Sequence, residues 1–127
     1  METATAALRY TGVFHGTADQ VRQVRREMAR RLAGCPAAND AVLIVSELAA
    51  NAVLHSTSAG QFFTVRAELH GSYLWLEVED CGGPRYPRPH DGARPHGLDV
   101  VAALTGPDGW GVDGDASGRV VWARLKL

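Results

Sequence analysis

The sequence contains only two cysteines, one lysine and no long apolar run. Two isolated cysteines, Cys35 and Cys81, fit a reduced cytoplasmic protein better than a disulfide framework. No apolar run exceeds five residues, as in Ala41–Val45, whereas a membrane-spanning helix needs about 20. Residues 1–8 lack the basic segment and the apolar core of a signal peptide. We therefore expect a cytoplasmic protein that makes no contact with a membrane.

Charge of one sign is not in excess either, because 13 basic residues stand against 14 acidic ones and the formal charge is −1. This balance argues against direct contact with nucleic acid. Every basic residue except Lys126 is arginine, which indicates the codon bias of a GC-rich genome rather than a function. With 127 residues, 46% of them apolar and 21% charged, the chain is long enough for one domain, residues 1–127, with its own hydrophobic core.

Hydrophobic periodicity predicts five strands and three helices. Thr17–Gln20 has the form of a capping box, which pairs a hydroxyl at the N-cap with a glutamine three residues on. The predicted elements are, in order, strand Leu8–Phe14, helix 17–34, helix Ala37–His55, strands Phe63–Leu69 and Leu74–Val78, helix Leu98–Leu104, and strands Trp110–Val112 and Arg119–Leu127. Helices segregated from hairpin strands indicate an α+β fold. We expect a two-layer sandwich in which the helices cover one face of a mixed, mostly antiparallel sheet.

Residues Asp80–His96 show no periodicity and hold four of the six prolines. A run of this length inside a compact domain is usually a functional or mobile loop. Cys81, His90, Asp91 and His96 also raise the alternative of a metal-binding protein. Their spacing matches no standard zinc pattern, and a single loop rarely completes a tetrahedral site. A metal centre is therefore the weaker interpretation of this loop.

The second predicted helix carries the first candidate site, in the segment SELAANAVLHS, residues 46–56. Glu47, Asn51 and His55 are spaced four residues apart, so they share one face of the helix. An amide oxygen in such a row can hold a hard cation, and the carboxylate beside it can act as a base. A solvated polar face has the same pattern, and this segment alone does not decide between the two.

The second candidate site is VEDCGGP, residues 78–84, where an apolar strand runs directly into an aspartate and two glycines. Asp80 can accept a hydrogen bond from an amino group of a ligand. Gly82 and Gly83 allow that ligand to approach the backbone closely. An ordinary turn after a strand has the same composition, so both interpretations stay open here.

The third candidate site is HGLDVV, residues 96–101, which places Gly97 at the start of a helix. Free N–H groups at a helix N-terminus, together with the helix dipole, suit a phosphate group. An ordinary junction between a loop and a helix is the alternative. The order and spacing of the three segments carry more information than any one of them.

Taken together, the three segments resemble the GHKL-type ATP-binding domain of gyrase, heat-shock chaperones, histidine kinases and mismatch-repair ATPases. The chain is more similar still to the small single-domain anti-sigma factor serine/threonine kinases of actinobacteria. SELAANAVLHS resembles the N-box of that branch, VEDCGG its first glycine box and HGLDVVAAL its second. The resemblance runs from about Val21 to the last strand.

The resemblance implies a function and a role for each candidate residue. Glu47 would be the general base, Asn51 the Mg²⁺ ligand and part of the nucleotide site, and Asp80 the acceptor for the adenine amino group. Gly82 would lie at the purine edge. The implied cofactors are ATP and Mg²⁺, and the implied reaction transfers the γ-phosphate to a serine or threonine of an antagonist protein. The implied partners are that antagonist or a sigma factor, with a homodimer as a further expectation.

The resemblance also extends to the phosphate side of the site. Gly97 and Leu98 would lie there, under a lid formed by the loop before them, and His55 would have a local structural or phosphate-side role. Two prolines depart from the family pattern: Pro84 replaces the last glycine of the first box, and Pro95 replaces a glycine of the second. Both stiffen the lid. The alternative function is therefore a non-catalytic protein-binding module of the same fold with a degenerate nucleotide site.

Overall fold

The computed structural model describes residues 8–55, 61–82, 97–115 and 117–127. Five strands and three helices lie in these ranges, as the sequence predicts. In chain order they are β1 (Arg9–His15), α1 (Ala18–Arg31), α2 (Ala38–His55), β2 (Phe62–His70), β3 (Tyr73–Asp80), α3 (Gly97–Thr105), β4 (Trp110–Asp115) and β5 (Gly118–Lys126). The predicted loop was Asp80–His96; Asp80 is instead the last residue of β3, and residues 83–96 lie outside the described residues.

The five strands form one sheet in the order β1-β2-β3-β5-β4. All four pairings between the described strands are antiparallel, so the α+β prediction is confirmed and the expectation of a mixed sheet is replaced by a fully antiparallel one. The reason is the position of β5. β4 runs in the same direction as β3, so direct pairing of these two strands would have made the sheet mixed. In the described sheet β5 lies between them and is antiparallel to both.

One face of the sheet is buried because apolar side chains occupy alternate positions of each strand. On β3 the buried row is Leu74, Leu76, Val78 and Asp80, and on β5 it is Arg119, Val121, Ala123 and Leu125. Each row thus carries apolar side chains along most of its length and one charged side chain at one end. The register places these two charged residues directly opposite each other, since Asp80 pairs with Arg119.

The helices form the second layer, with α2 at its centre. α2 packs against α1 and α3 and makes its largest sheet contact with β3. Its buried side chains are Ala41, Ile44, Val45, Ser46, Leu48, Ala49 and Ala52. None of the helices in the described part of the chain is long and apolar enough to cross a membrane.

The start of α1 differs from its prediction in one respect. Thr17 is the N-cap residue, as expected, but its side chain makes no capping hydrogen bond. The Thr17 hydroxyl donates instead to Oδ1 of Asp19 at 2.6 Å. The N–H of Gln20, which a capping box would direct to the Thr17 hydroxyl oxygen, donates to the Thr17 carbonyl oxygen at 3.0 Å, so the predicted capping box does not form.

Candidate functional site

Asp80 is the last residue of β3 and ends a row of buried apolar side chains. Its side chain is almost fully enclosed, since only 6% of the residue is exposed. Oδ1 accepts a hydrogen bond from the backbone N–H of Gly82 at 2.7 Å and lies 3.5 Å from Nε of Arg119. Both contacts converge on one carboxylate oxygen. The hydrogen bond and the ion-pair contact that the described residues make with Asp80 are both to Oδ1, so Oδ2 is the oxygen that can accept from a ligand.

The electrostatics of Asp80 are a balance between burial and two favourable contacts. Burial raises the pKa of the Asp80 carboxyl above its ordinary value. The Gly82 N–H and the Arg119 guanidinium act in the opposite direction, and the neighbouring Glu79 adds to the rise. Keeping this carboxylate ionised in a buried position therefore costs free energy, which is unusual for an aspartate that serves only to end a strand.

Gly82 places a backbone segment without a side chain next to this carboxylate. It is buried and has a φ of 75°, in the left-handed region that a side chain disfavours. Because its N–H donates to Asp80, the backbone folds back over the carboxylate within two residues. The thiol of Cys81 between them points away, toward the carbonyl of Phe62 at 3.7 Å.

Glu47 and Asn51 lie one turn apart on the same face of α2, as the sequence predicts. Both residues are partly exposed, whereas Ser46, Leu48 and Ala49 beside them are buried. Neither the Glu47 carboxylate nor the Asn51 amide forms a hydrogen bond or ion pair with the rest of the described chain. Both polar groups therefore remain available to a ligand or a cation. Nothing is described of the His55 side chain.

The end of α2 that carries Asn51 lies at the same end of the sheet as Asp80. Only residues 56–61 separate α2 from β2, and six residues span at most about 20 Å. β2 begins where β3 ends, since Thr64 pairs with Glu79. Chain connectivity and register thus bring the N-box face of α2 to the end of β3.

α3 also points its N-terminus toward this end of the sheet. Its last residue, Thr105, lines a shallow cavity together with Leu125 and Lys126, which are at the opposite end of β5 from Arg119. The helix therefore begins near the Asp80 end, where Gly97 is its first residue and Leu98 is buried with 1% exposure. The topology brings the described parts of the three predicted segments to one end of the sheet.

The alternative metal centre gains no support from the described residues. His90, Asp91 and His96 lie outside them, and no group of three or more histidine, cysteine, aspartate or glutamate side chains that could hold a metal occurs within them. Within the described residues, Cys35 and Cys81 form no disulfide. Pro84 and Pro95, the two departures from the family pattern, also fall outside the described part.

One residue of this end was not predicted from the sequence. Arg119 is 1% exposed and carries one of the largest fully buried side chains in the described structure. Strand alternation with Val121 and Ala123 signals that Arg119 faces the core, but arginine is so rarely buried that the signal is easily set aside. The cross-strand position of Asp80 explains its burial.

Comparisons with known proteins identify the family and the fold. Residues 14–113 match the family model of the histidine kinase-like ATPase domain. The fold is similar to the crystal structure of the RsbU and RsbW domains of Rv1364c from Mycobacterium tuberculosis, with a TM-score of 0.72 and 23% sequence identity. That match covers 94% of this chain but 32% of the other, so this chain spans about a third of its length. A search of curated proteins found no match.

Proposed function

Because the chain belongs to the histidine kinase-like ATPase domain family, we propose that it binds ATP with Mg²⁺ and regulates transcription in the manner of anti-sigma factor kinases. The observation that carries the proposal is the enclosed Asp80 carboxylate, which keeps one oxygen for a ligand at the end of the sheet where three family motifs meet. In this proposal residues 1–127 form one ATP-binding domain.

Asp80 and Gly82 bind the adenine end in this proposal. An adenine presents a donor, its exocyclic amino group, where a guanine presents an acceptor oxygen. The Asp80 Oδ2 atom accepts from that amino group, and the bare backbone of Gly82 lies along the purine edge. A buried carboxylate strongly disfavours a ligand that presents an acceptor. The carboxylate oxygen and the oxygen of the base then face each other without a hydrogen bond between them.

The residues of α2 suit the metal and the phosphates. The Asn51 amide oxygen is a hard ligand of the kind that Mg²⁺ accepts, and it is not engaged by the described residues. When bound, Mg²⁺ neutralises charge on the phosphates during transfer. Gly97 and Leu98 offer backbone N–H groups at the start of α3 for the phosphate side.

Glu47 acts as the general base. Its carboxylate is partly exposed and one helical turn from Asn51, so it can orient an incoming hydroxyl and accept its proton. In the kinase function that hydroxyl belongs to a serine or threonine of an antagonist protein, and the protein also sequesters a sigma factor. The retained Glu47 and Asn51 favour this function over a non-catalytic binding module, whereas Pro84 and Pro95 favour the module. The protein acts in the cytoplasm, and a homodimer is its expected assembly.

Calorimetric titration with Mg-ATP, Mg-ADP and Mg-GTP tests the nucleotide site. We expect ATP and ADP to bind with similar affinity, because the recognised group is the base. GTP should bind at least about tenfold more weakly, since it turns an acceptor toward the Asp80 carboxylate. Equal binding of GTP and ATP would contradict the assignment of Asp80.

Transfer of labelled γ-phosphate from ATP to proteins of a cell extract separates the kinase from the non-catalytic module. We expect a labelled serine or threonine phosphoprotein that requires the added wild-type chain. Nucleotide binding without any such transfer would favour the alternative, a protein-binding module that has kept the fold.

A further inference from the structure

The buried ion pair between β3 and β5 is unusual in where it lies. Asp80 and Arg119 are cross-strand partners in the antiparallel register, and both side chains are almost fully enclosed, at 2% and 1% exposure. They are the charged ends of two rows that otherwise contain apolar side chains. Burying an arginine to this degree carries a large desolvation cost, which an oppositely charged partner and hydrogen bonds can offset.

The contact is directed at one atom of Asp80. Nε of Arg119 lies 3.5 Å from Oδ1, the same oxygen that accepts from the Gly82 N–H. The Gly82 N–H donates a hydrogen bond to Oδ1, and the Arg119 guanidinium places its charge on the side of the same oxygen. Together these two contacts favour one rotation of the carboxylate group, in which Oδ2 is turned away from both of them. A carboxylate that rotates freely would present either oxygen, and it would lose conformational entropy when a ligand binds.

The contact with Arg119 also places a positive charge beside the Asp80 carboxylate, whose ionised form is disfavoured by burial. Burial raises the pKa of Asp80, and the Arg119 guanidinium lowers it again. The other described charge that acts on this carboxyl is Glu79 of the same strand, which raises the pKa, and α2 brings Glu47 to this end of the sheet. Glu79 is itself bound to Arg66 at 2.9 Å on the opposite face. Arg119 is therefore the principal counter-charge of Asp80.

We propose that Arg119 is a positioning residue of the nucleotide site, which keeps Asp80 ionised and aims its Oδ2 atom at the amino group of the base. The inference rests on the proposed function for the identity of the ligand, but not for the effect of Arg119 on Asp80. Arg119 does not touch the ligand in this account. It acts through the carboxylate, from a position fixed by the pairing of two central strands.

Three variants test the proposal. Arg119→Met removes the charge and keeps an apolar side chain of similar length, Arg119→Lys restores a cation at nearly the same place, and Arg119→Gln keeps a donor without charge in case the methionine variant does not fold. Each is compared with the wild type by NMR titration of the Asp80 carboxyl carbon and by calorimetric binding of Mg-ADP at pH 6 and pH 8. ADP is used so that turnover does not complicate the binding.

We expect the Asp80 carboxyl of Arg119→Met to titrate about one pH unit or more above the wild type, because its counter-charge is gone. ADP affinity of this variant should be lower at pH 6 than at pH 8, by about twofold where half of the carboxyl is protonated at pH 6, and it should recover in part at pH 8, where the carboxyl is again ionised. The wild type and Arg119→Lys should show little change between the two pH values. A purely structural role would weaken binding equally at both pH values and would not be rescued by lysine.

The proposal is overturned if a folded Arg119→Met or Arg119→Gln variant keeps both the wild-type titration of Asp80 and wild-type ADP affinity. A uniform loss of affinity at both pH values with an unchanged titration overturns it too. If the wild type itself binds no ADP, the proposed function fails, and the titration of Asp80 alone then decides the role of Arg119.

Discussion

Glu47→Gln is expected to slow phosphoryl transfer from ATP by about 10²- to 10⁴-fold, the usual contribution of a general base. The dissociation constant for Mg-ATP should stay within about threefold of the wild type, because the variant removes a proton acceptor and leaves the recognition of the base intact. The side chain is partly exposed and makes no ion pair with the described residues, so the fold should tolerate the change. Single-turnover formation of ADP and calorimetric binding measure the two quantities.

The matched control for this variant is Asp40→Asn, which removes an exposed carboxylate from the first turn of the same helix, away from the site. We expect this control to keep the wild-type rate and affinity. A Glu47→Gln variant that loses ATP binding as severely as it loses phosphoryl transfer would show that Glu47 holds the nucleotide rather than the proton.

Asp80→Asn should weaken the binding of ATP and ADP alike, by about 10- to 100-fold, which is the cost of losing a hydrogen bond to a charged acceptor. The two nucleotides should be affected equally because the lost contact is to the base, which they share. Calorimetric titration of both nucleotides measures the effect. Glu79→Gln is the control. Glu79 directly precedes Asp80 in β3, but its side chain lies on the opposite face of the sheet and forms an ion pair with Arg66. This control should change neither affinity.

Asp80→Asn should also remain folded, and the direction of the pKa shift gives the reason. Burial raises the pKa of Asp80 above its value in the unfolded chain, so the folded state favours the neutral carboxyl and loses stability as the pH rises from the unfolded pKa through the folded one. An asparagine resembles the neutral form. Denaturation at neutral pH should therefore show only a partial loss of unfolding free energy in this variant, because the amide avoids the desolvation cost of the carboxylate but leaves the buried Arg119 guanidinium without its counter-charge. The part of the acid pH dependence due to Asp80 should disappear. A loss of binding accompanied by unfolding would contradict the assignment.

The hairpin of β2 and β3 could be predicted from the sequence because each strand alternates between core and surface. Alternation at Val65, Ala67 and Leu76 identifies the buried face directly, and the structure confirms both strands and the turn at Gly71. The three helices were predictable for the same reason, since their apolar residues recur with the helical period. What periodicity does not contain is the order of strands, which decides that β5 rather than β4 lies beside β3.

The local chemistry at two positions could not be predicted in the same way. The N–H of Gln20 can donate to the hydroxyl or to the carbonyl oxygen of Thr17, and local backbone geometry rather than residue type selects the carbonyl. Arg119 follows the strand alternation but contradicts the usual exposure of arginine, and only the cross-strand partner Asp80 resolves the conflict. The roles of Glu47 and Asn51 came from the family resemblance and remain predictions.

Thermal unfolding with and without Mg-ATP tests most directly whether this chain is a nucleotide-binding domain. Ligand at a hundredfold excess over its dissociation constant adds about 2.7 kcal/mol to the free energy of unfolding. In a domain of this size that raises Tm by roughly 5 °C or more. We expect such a rise with Mg-ATP, and a smaller one with Mg-GTP or with ATP and a chelator. An unchanged Tm at millimolar Mg-ATP would contradict the account and would leave a protein-binding module that has kept the fold without its nucleotide.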